Sequence, residues 1–262
     1  MEGRKKMTRI TCADIQKMKA DGIRPMIGIC YDYTMAQIFD KAGVDIILVG
    51  DSGAKTLLGY EDNSAVSMDE MIIMARAVVR GSKRAMVMAD MPFMSYQVNI
   101  EDGVRNAGRF IREAGVQCLK LEGNEEIADV CHAITRAGIP VQGHMGFTPM
   151  TSMAIGGFMS EDARKPEENF RKAAFALQDA GCYSLMFTQV PPDICGALTR
   201  ELRIPTFAGA GSGQTNGLIV YSSLSLAAVD KSPDQYGVTA GRAVYDHVKG
   251  YIDDVRSGKV TR

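Results

Sequence analysis

The chain has 262 residues, 46% of them hydrophobic, and a formal net charge of -1 from 30 basic and 31 acidic side chains. That length and composition suit one large core, the size at which an α/β barrel forms a single domain over residues 1-262. The balanced charge, low aromatic content and absence of Trp speak against a nucleic-acid or acidic-membrane binder. Six cysteines without a CxxC pair read as reduced thiols, no apolar run approaches bilayer length, and no signal-length segment follows the charged start. These features predict a cytoplasmic protein with neither a nucleic-acid nor a membrane partner. Seventeen methionines are expected to fill core space.

Thr11 to Lys19 predicts a short helix, with Thr11 and Asp14 as a capping pair. Residues 24-30 read as a first strand, and a helix runs from about Thr34 to Ala42, closed by Gly43. Asp45 to Gly50 is a short β-branched run, hence a buried second strand, and Asp51-Ser52-Gly53 follows at its end. Residues 53-66 read as a polar loop, and Ser67 and Glu70 have capping-box spacing for a helix to about Arg80. Ala85 to Ala89 is a third strand ending in Asp90, where Pro92 blocks continuation. A helix from Ile100 to Ala114 precedes a fourth strand, 117-121, which carries Lys120 with Glu122 just beyond. A helix over 125-137 leads to a fifth strand, 140-143, with His144 at its end.

The stretch from Met145 to Pro166 is long for a connection and reads as a lid or a subunit contact. A helix over 167-180, a sixth strand over 183-187 ending at Thr188, a helix over 194-202, a seventh strand over 206-208 and an eighth near 218-221 follow. A charged amphipathic helix over 236-256 closes the chain. Ala-Gly helix ends recur at 42-43, 114-115, 137-138 and 180-181, each before an apolar strand. This repeated step predicts an α/β fold, a (β/α)8 TIM barrel, over the competing doubly wound sheet.

Closing a barrel brings the strand ends together, and with them Asp51, Ser52, Asp90, Lys120, Glu122, His144 and Thr188. Three close carboxylates repel, and one takes up a proton unless a cation intervenes. Oxygen ligands suit Mg²⁺, and no His or Cys pair has zinc spacing. A metal with open positions and a lysine suits a 2-oxo acid reacting through an enolate. Lys120 and Glu122, two apart on one strand, point to the same side. Lys120 as a Schiff-base lysine is the alternative. Taken singly, each has a plainer reading: Asp90 as a helix cap, Glu122-Gly123 as a turn, His144 as a structural hydrogen-bonder, Gly209 to Gly213 as an ordinary glycine turn.

The segments Tyr31-Asp32-Tyr33, Val49-Gly50-Asp51-Ser52, Ala89-Asp90-Met91-Pro92-Phe93-Met94, Lys120-Leu121-Glu122-Gly123, Gly143 to Pro149 and Gly209-Ala210-Gly211 resemble, in order, the ketopantoate hydroxymethyltransferase family. That family lies in the phosphoenolpyruvate mutase and isocitrate lyase barrel superfamily. The resemblance implies that Asp51, Asp90 and Glu122 hold Mg²⁺, and that Asp51, Ser52, Asp90 and Lys120 contact the 2-oxo acid. It implies transfer of a one-carbon unit from methylenetetrahydrofolate to 3-methyl-2-oxobutanoate, towards pantothenate, by a homo-oligomer. The sequence departs from the family after the sixth strand, where Thr188 stands in place of a glutamate that accepts the proton. A threonine hydroxyl needs a partner to do this. Glu161 and Asp162 are candidates for a relocated base. The family's histidine- and proline-containing segment after the glycine turn is also missing, with Leu226 to Asp230 in its place. Three readings follow: hydroxymethyl transfer with a relocated base, a metal-dependent lyase, aldolase or decarboxylase on another 2-oxo acid, or a non-catalytic homologue.

Overall fold

In the computed structural model, eight parallel strands follow one another in chain order and close into a barrel. The structure describes residues 9-155, 166-209, 214-222, 240-257 and 259. The strands are β1 (Met26–Ile29), β2 (Ile46–Val49), β3 (Met86–Asp90), β4 (Cys118–Glu122), β5 (Val141–Gly146), β6 (Ser184–Thr188), β7 (Thr206–Ala208) and β8 (Gly217–Ser222). The last meets the first where Leu218 N–H donates to Pro25 O at 3.1 Å. The fold is the (β/α)8 barrel expected from the αβ rhythm.

The chain forms two compact units, Met1–Val220 and Tyr221–Arg262. The second contains the helix Ala240–Arg256, within the expected tail helix. Its exposed face carries Val244, Tyr245, Val248 and Tyr251.

Helix starts follow local chemistry. Helix α1 (Cys12–Ala20) begins with a capping box between Thr11 and Asp14, and α4 (Met68–Gly81) with one between Ser67 and Glu70. Asp32 caps α2 (Tyr33–Ala42) and Asn99 caps α5 (Ile100–Arg109), each satisfying an N–H of the first turn. The Ala-Gly ends are explained by left-handed backbone at Gly43, Gly115, Gly138 and Gly181.

Two connections hold more structure than their polar sequences suggest. Residues 53-66 contain the short helix α3 (Gly53–Thr56) and a 3-10 turn, Asn63–Ala65. After β5 comes a 3-10 segment, Pro149–Ile155; the remaining lid residues, 156-165, lie outside the described residues. The helix predicted over 100-114 ends in a π turn, Phe110–Ala114. That predicted over 125-137 opens with a 3-10 turn before α6 (Ala128–Arg136). Helices α7 (Glu167–Asp179) and α8 (Pro192–Glu201) complete the ring of the first unit.

The interior is layered by strand alternation. Ile46 and Leu48 of β2, Met86 and Met88 of β3, Cys118 of β4, Met186 of β6 and Phe207 of β7 form one buried cluster with Ile15 of α1. Successive side chains alternate faces, so the next residues in the same phase also point inward. These are Asp90 on β3, Lys120 and Glu122 on β4, and Thr188 on β6. One barrel thus has an apolar, methionine-rich floor and a polar layer towards the carboxyl ends of its strands. Gln142 and Ser184, joined by a 2.8 Å hydrogen bond, occupy the polar phase on β5 and β6 below His144.

Candidate active site

The polar layer is assembled by strand register. Asp90 lies opposite Lys120, and Glu122 opposite His144. Lys120 and Glu122 share a face, as their spacing predicted. Strand β5 runs three residues past the expected Gly143, because His144, Met145 and Gly146 pair with Met186, Phe187 and Thr188. His144 therefore sits within a strand and not past its end. Glu122 likewise belongs to β4 itself.

Asp51, Asp90, Lys120, Glu122 and His144 are all buried, while Ser52 and Thr188 are half-buried. Asp90 binds in two directions: its Oδ2 accepts the Asp51 backbone N–H at 3.0 Å, and its Oδ1 lies 3.0 Å from Lys120 Nζ. The latter is an ion pair without a well-directed hydrogen bond. Burial alone would push the Lys120 ammonium towards neutrality, but Asp90, Asp51 and Glu122 outweigh it and raise its pKa. A lysine held charged this way is a cationic contact. Schiff-base chemistry needs the free amine, which this environment disfavours.

Asp51 is the site's unsatisfied member. Its Oδ1 accepts a long 3.4 Å bond from Asn63 Nδ2, the Ser52 N–H lies close enough to favour its charge weakly, and its buried Oδ2 has no hydrogen-bond partner. Burial, followed by the charges of Asp90 and Glu122, raises its pKa to about 7 against the pull of Lys120. The shift runs in the direction anticipated for crowded carboxylates. A hard divalent cation at Asp51 and Asp90 would satisfy the orphaned oxygen and relieve the repulsion, so this donor pair fits such an ion. Among the described residues no three acidic, His or Cys side chains are already grouped as a metal cage.

Glu122 is differently placed. Its Oε1 accepts the Met150 N–H at 2.7 Å, and its Oε2 lies 3.1 Å from His144 Nδ1. Burial raises its pKa, but His144, Lys120 and the Met150 N–H together hold it below the ordinary value. Its backbone is clasped by Tyr96, whose hydroxyl donates to Glu122 O at 2.8 Å and accepts from Glu122 N at 3.0 Å. His144 reaches on to Thr188, with Nε2 2.7 Å from Oγ1. Its pKa is lowered, first by burial and then by Lys120, against the pull of Glu122.

Ser52 stands at the N-terminal boundary of α3 without a side-chain capping bond, and its hydroxyl meets the Tyr31 hydroxyl at 2.8 Å instead. Asp32, beside Tyr31, is spent on capping α2. Sequence reasoning missed Asn63 and Tyr96, whose roles arise from long-range packing. Glu161 and Asp162, Gly211 and Gly213 of the glycine turn, and Leu226 to Asp230 lie outside the described residues. The arrangement offers a cationic lysine, a carboxylate pair suited to a divalent ion, and a histidine-linked hydroxyl in one polar layer of the barrel. Such a set can bind an anionic carbonyl compound and stabilise charge on its oxygen.

The family model described as ketopantoate hydroxymethyltransferase matches residues 9–261. A protein of Nitratidesulfovibrio vulgaris named 3-methyl-2-oxobutanoate hydroxymethyltransferase is 42% identical over 259 residues, covering 95% of this chain and 82% of that protein. One of the same name from Moorella thermoacetica is 40% identical over 258 residues, covering 96% and 95%. Among solved structures, phosphonopyruvate hydrolase with oxalate and Mg²⁺ superposes with a TM-score of 0.64 at 15% identity, covering 95% of this chain and 88% of that one. The 2,3-dimethylmalate lyase of the phosphoenolpyruvate mutase/isocitrate lyase superfamily gives 0.63 at 15%, covering 95% and 89%.

Proposed function

The chain belongs to the ketopantoate hydroxymethyltransferase family, and on that premise we propose that it moves a hydroxymethyl group onto 3-methyl-2-oxobutanoate. The observation that carries the reading is the buried, unpartnered Asp51 Oδ2 beside Asp90 and Lys120, a site short of one cation and open to one anion. Asp51 and Asp90 are the residues that would hold Mg²⁺. Glu122, named with them by the resemblance, adds its charge while its Oε1 accepts the Met150 N–H and its Oε2 faces His144 Nδ1. When bound, the ion supplies Lewis-acid stabilisation of negative charge on the keto oxygen.

The chain's own residues do the rest. Lys120 attracts the substrate carboxylate and stays protonated beside Asp90. Ser52, oriented by Tyr31, donates or accepts one hydrogen bond at the rim, and Asp51 and Asp90 lie beside Ser52 and Lys120. Methylenetetrahydrofolate is the proposed one-carbon donor, in keeping with the family resemblance. We place the protein in the cytoplasm as a homo-oligomer. The six free cysteines support the first and the family resemblance the second.

The test is exchange of the C3 hydrogen of 3-methyl-2-oxobutanoate for deuterium, followed by NMR with and without Mg²⁺. Metal-dependent exchange is expected, and product should form when methylenetetrahydrofolate is added. No exchange, together with metal-dependent cleavage of another 2-oxo acid, would replace the reading by that of a lyase or decarboxylase, which needs no carbon-acid base. No turnover and no Mg²⁺ binding by calorimetry would leave a non-catalytic homologue.

A further inference from the structure

The proposed reaction must break a C–H bond, and Thr188 stands where the family resemblance places a carboxylate. We propose that Thr188 is the catalytic proton acceptor, made competent by a hydrogen-bonded chain Glu122–His144–Thr188 that runs across three neighbouring strands. This inference rests on the substrate reading above, and it concerns how the proton leaves.

The geometry is that of a carboxylate, an imidazole and a hydroxyl in series. Glu122 Oε2 is 3.1 Å from His144 Nδ1, and His144 Nε2 is 2.7 Å from Thr188 Oγ1. Two groups compete for Nδ1. Lys120 Nζ lies 3.3 Å away in hydrogen-bonding geometry and is also ion-paired with Asp90 at 3.0 Å, while the Glu122 carboxylate is closer to the ring, at 3.1 Å. A carboxylate accepts only and an ammonium donates only, so the two contacts favour opposite tautomers; in the proposed relay the nearer one prevails, with the ring proton on Nδ1. Nε2 is then bare and can accept only from the Thr188 hydroxyl. The same series of roles lets a serine hydroxyl act through histidine in hydrolases. Here the chain accepts a proton and forms no covalent bond to substrate.

The step balances. As the C3–H bond breaks, its electron pair moves into the C2–C3 bond and the charge onto the keto oxygen, giving an enolate. The proton goes to Thr188 Oγ1 while the hydroxyl proton passes to His144 Nε2. The threonine ends neutral, and the imidazolium faces the Glu122 carboxylate. Reversal of both transfers returns a hydrogen to C3, which is the exchange reaction. Glu122 is a positioning residue: it fixes which ring nitrogen is bare. Thr188 is half-buried at the end of its strand, whereas His144 behind it is buried. The hydroxyl is therefore the member of the chain that a substrate can touch.

The test uses full-length protein with Mg²⁺ and 3-methyl-2-oxobutanoate. Thr188→Val keeps shape and removes the hydroxyl. It is expected to lower the C3 exchange rate by about 100-fold or more, the usual range for general acid–base catalysis, with KM for the 2-oxo acid little changed. Thr188→Ser should stay within about tenfold of the unaltered protein. Thr188→Glu supplies a carboxylate of its own and should exchange, showing that the valine variant lost chemistry and not its fold. A valine variant within about threefold of the unaltered protein, or a serine variant as slow as valine, overturns the proposal.

A second readout needs no turnover. The chain has three histidines, so ¹⁵N-histidine NMR resolves His144. A protonated Nδ1 and a bare Nε2 whose shift moves in Thr188→Val are expected, and a protonated Nε2 overturns the relay. Absence of exchange in the unaltered protein would instead refute the substrate reading, and the histidine tautomer would still decide the relay.

Discussion

Replacing Gly146 by alanine should damage both stability and catalysis, and the structure gives the size of the effect. Gly146 ends β5 at φ +100°, and a Cβ there would lie 2.3 Å from Thr188 O and 2.8 Å from Val190 Cγ2. The left-handed backbone costs an L-residue about 1–3 kcal/mol. The contact with Thr188 O cannot be relieved by a rotamer change, since the atom is backbone and already accepts the Phe147 N–H at 2.8 Å. Forcing β5 and β6 apart adds about 1–3 kcal/mol of overpacking. The sum, about 2–6 kcal/mol, is read as a shift of the urea midpoint at unchanged slope. Gly138→Ala is the control, because Gly138 is also left-handed, at φ +86°, but has nothing within 4 Å of its would-be Cβ. It should lose only the backbone part. Equal losses in the two variants, or a loss below about 1 kcal/mol at Gly146, would refute the reasoning. C3 exchange should also fall in Gly146→Ala, because Thr188 must move with its carbonyl.

Tyr96→Phe removes one hydroxyl that serves both backbone groups of Glu122. It should cost about 1–3 kcal/mol by thermal denaturation and speed hydrogen exchange at the Glu122 amide; an unchanged amide would count against the clasp. The pH dependence of the metal-free protein follows from Asp51. Its pKa is raised by folding, to about 7, so its contribution to stability is fully present below the unfolded carboxyl value near 4 and is lost as pH rises through about 7. Mg²⁺ should abolish this slope in a denaturation series across pH, and its apparent affinity should climb towards pH 7 and level off above it. A slope that Mg²⁺ leaves unaltered would remove Asp51 from the cation site.

Much of this was legible in the sequence. Capping pairs at Thr11 and Ser67, Ala-Gly helix ends and short apolar runs are local signals, and they located every strand of the barrel. The inward direction of Lys120 and Glu122 followed from period-two alternation. What stayed hidden was set by pairing between distant strands. No local signal says that β5 continues through Gly146, because a glycine-rich, histidine-containing segment has little strand propensity. Its extension depends on β6 lying alongside. For the same reason Thr188 looked like a lost base. Its partner is 44 residues away in the chain and becomes adjacent only when the two strands align. Asn63 and Tyr96 sit in connecting segments whose polar character gave no hint of a target.

The register that sets Glu122 against His144 and Gly146 against Thr188 has a mechanical consequence. Three of the groups that matter most are carried by the barrel's ladder, so their spacing is inherited from the pitch and shear of β4, β5 and β6. A change in methionine packing at the floor that alters shear by a fraction of a residue would be transmitted along the strands to the proton path, with no contact to it. Conversely, surface segments other than those that reach Glu122 through Met150 and Tyr96 are free to vary in length or shape without retuning that path. The barrel acts here as a gauge block for one short line of hydrogen bonds, and core volume becomes a variable of reaction rate.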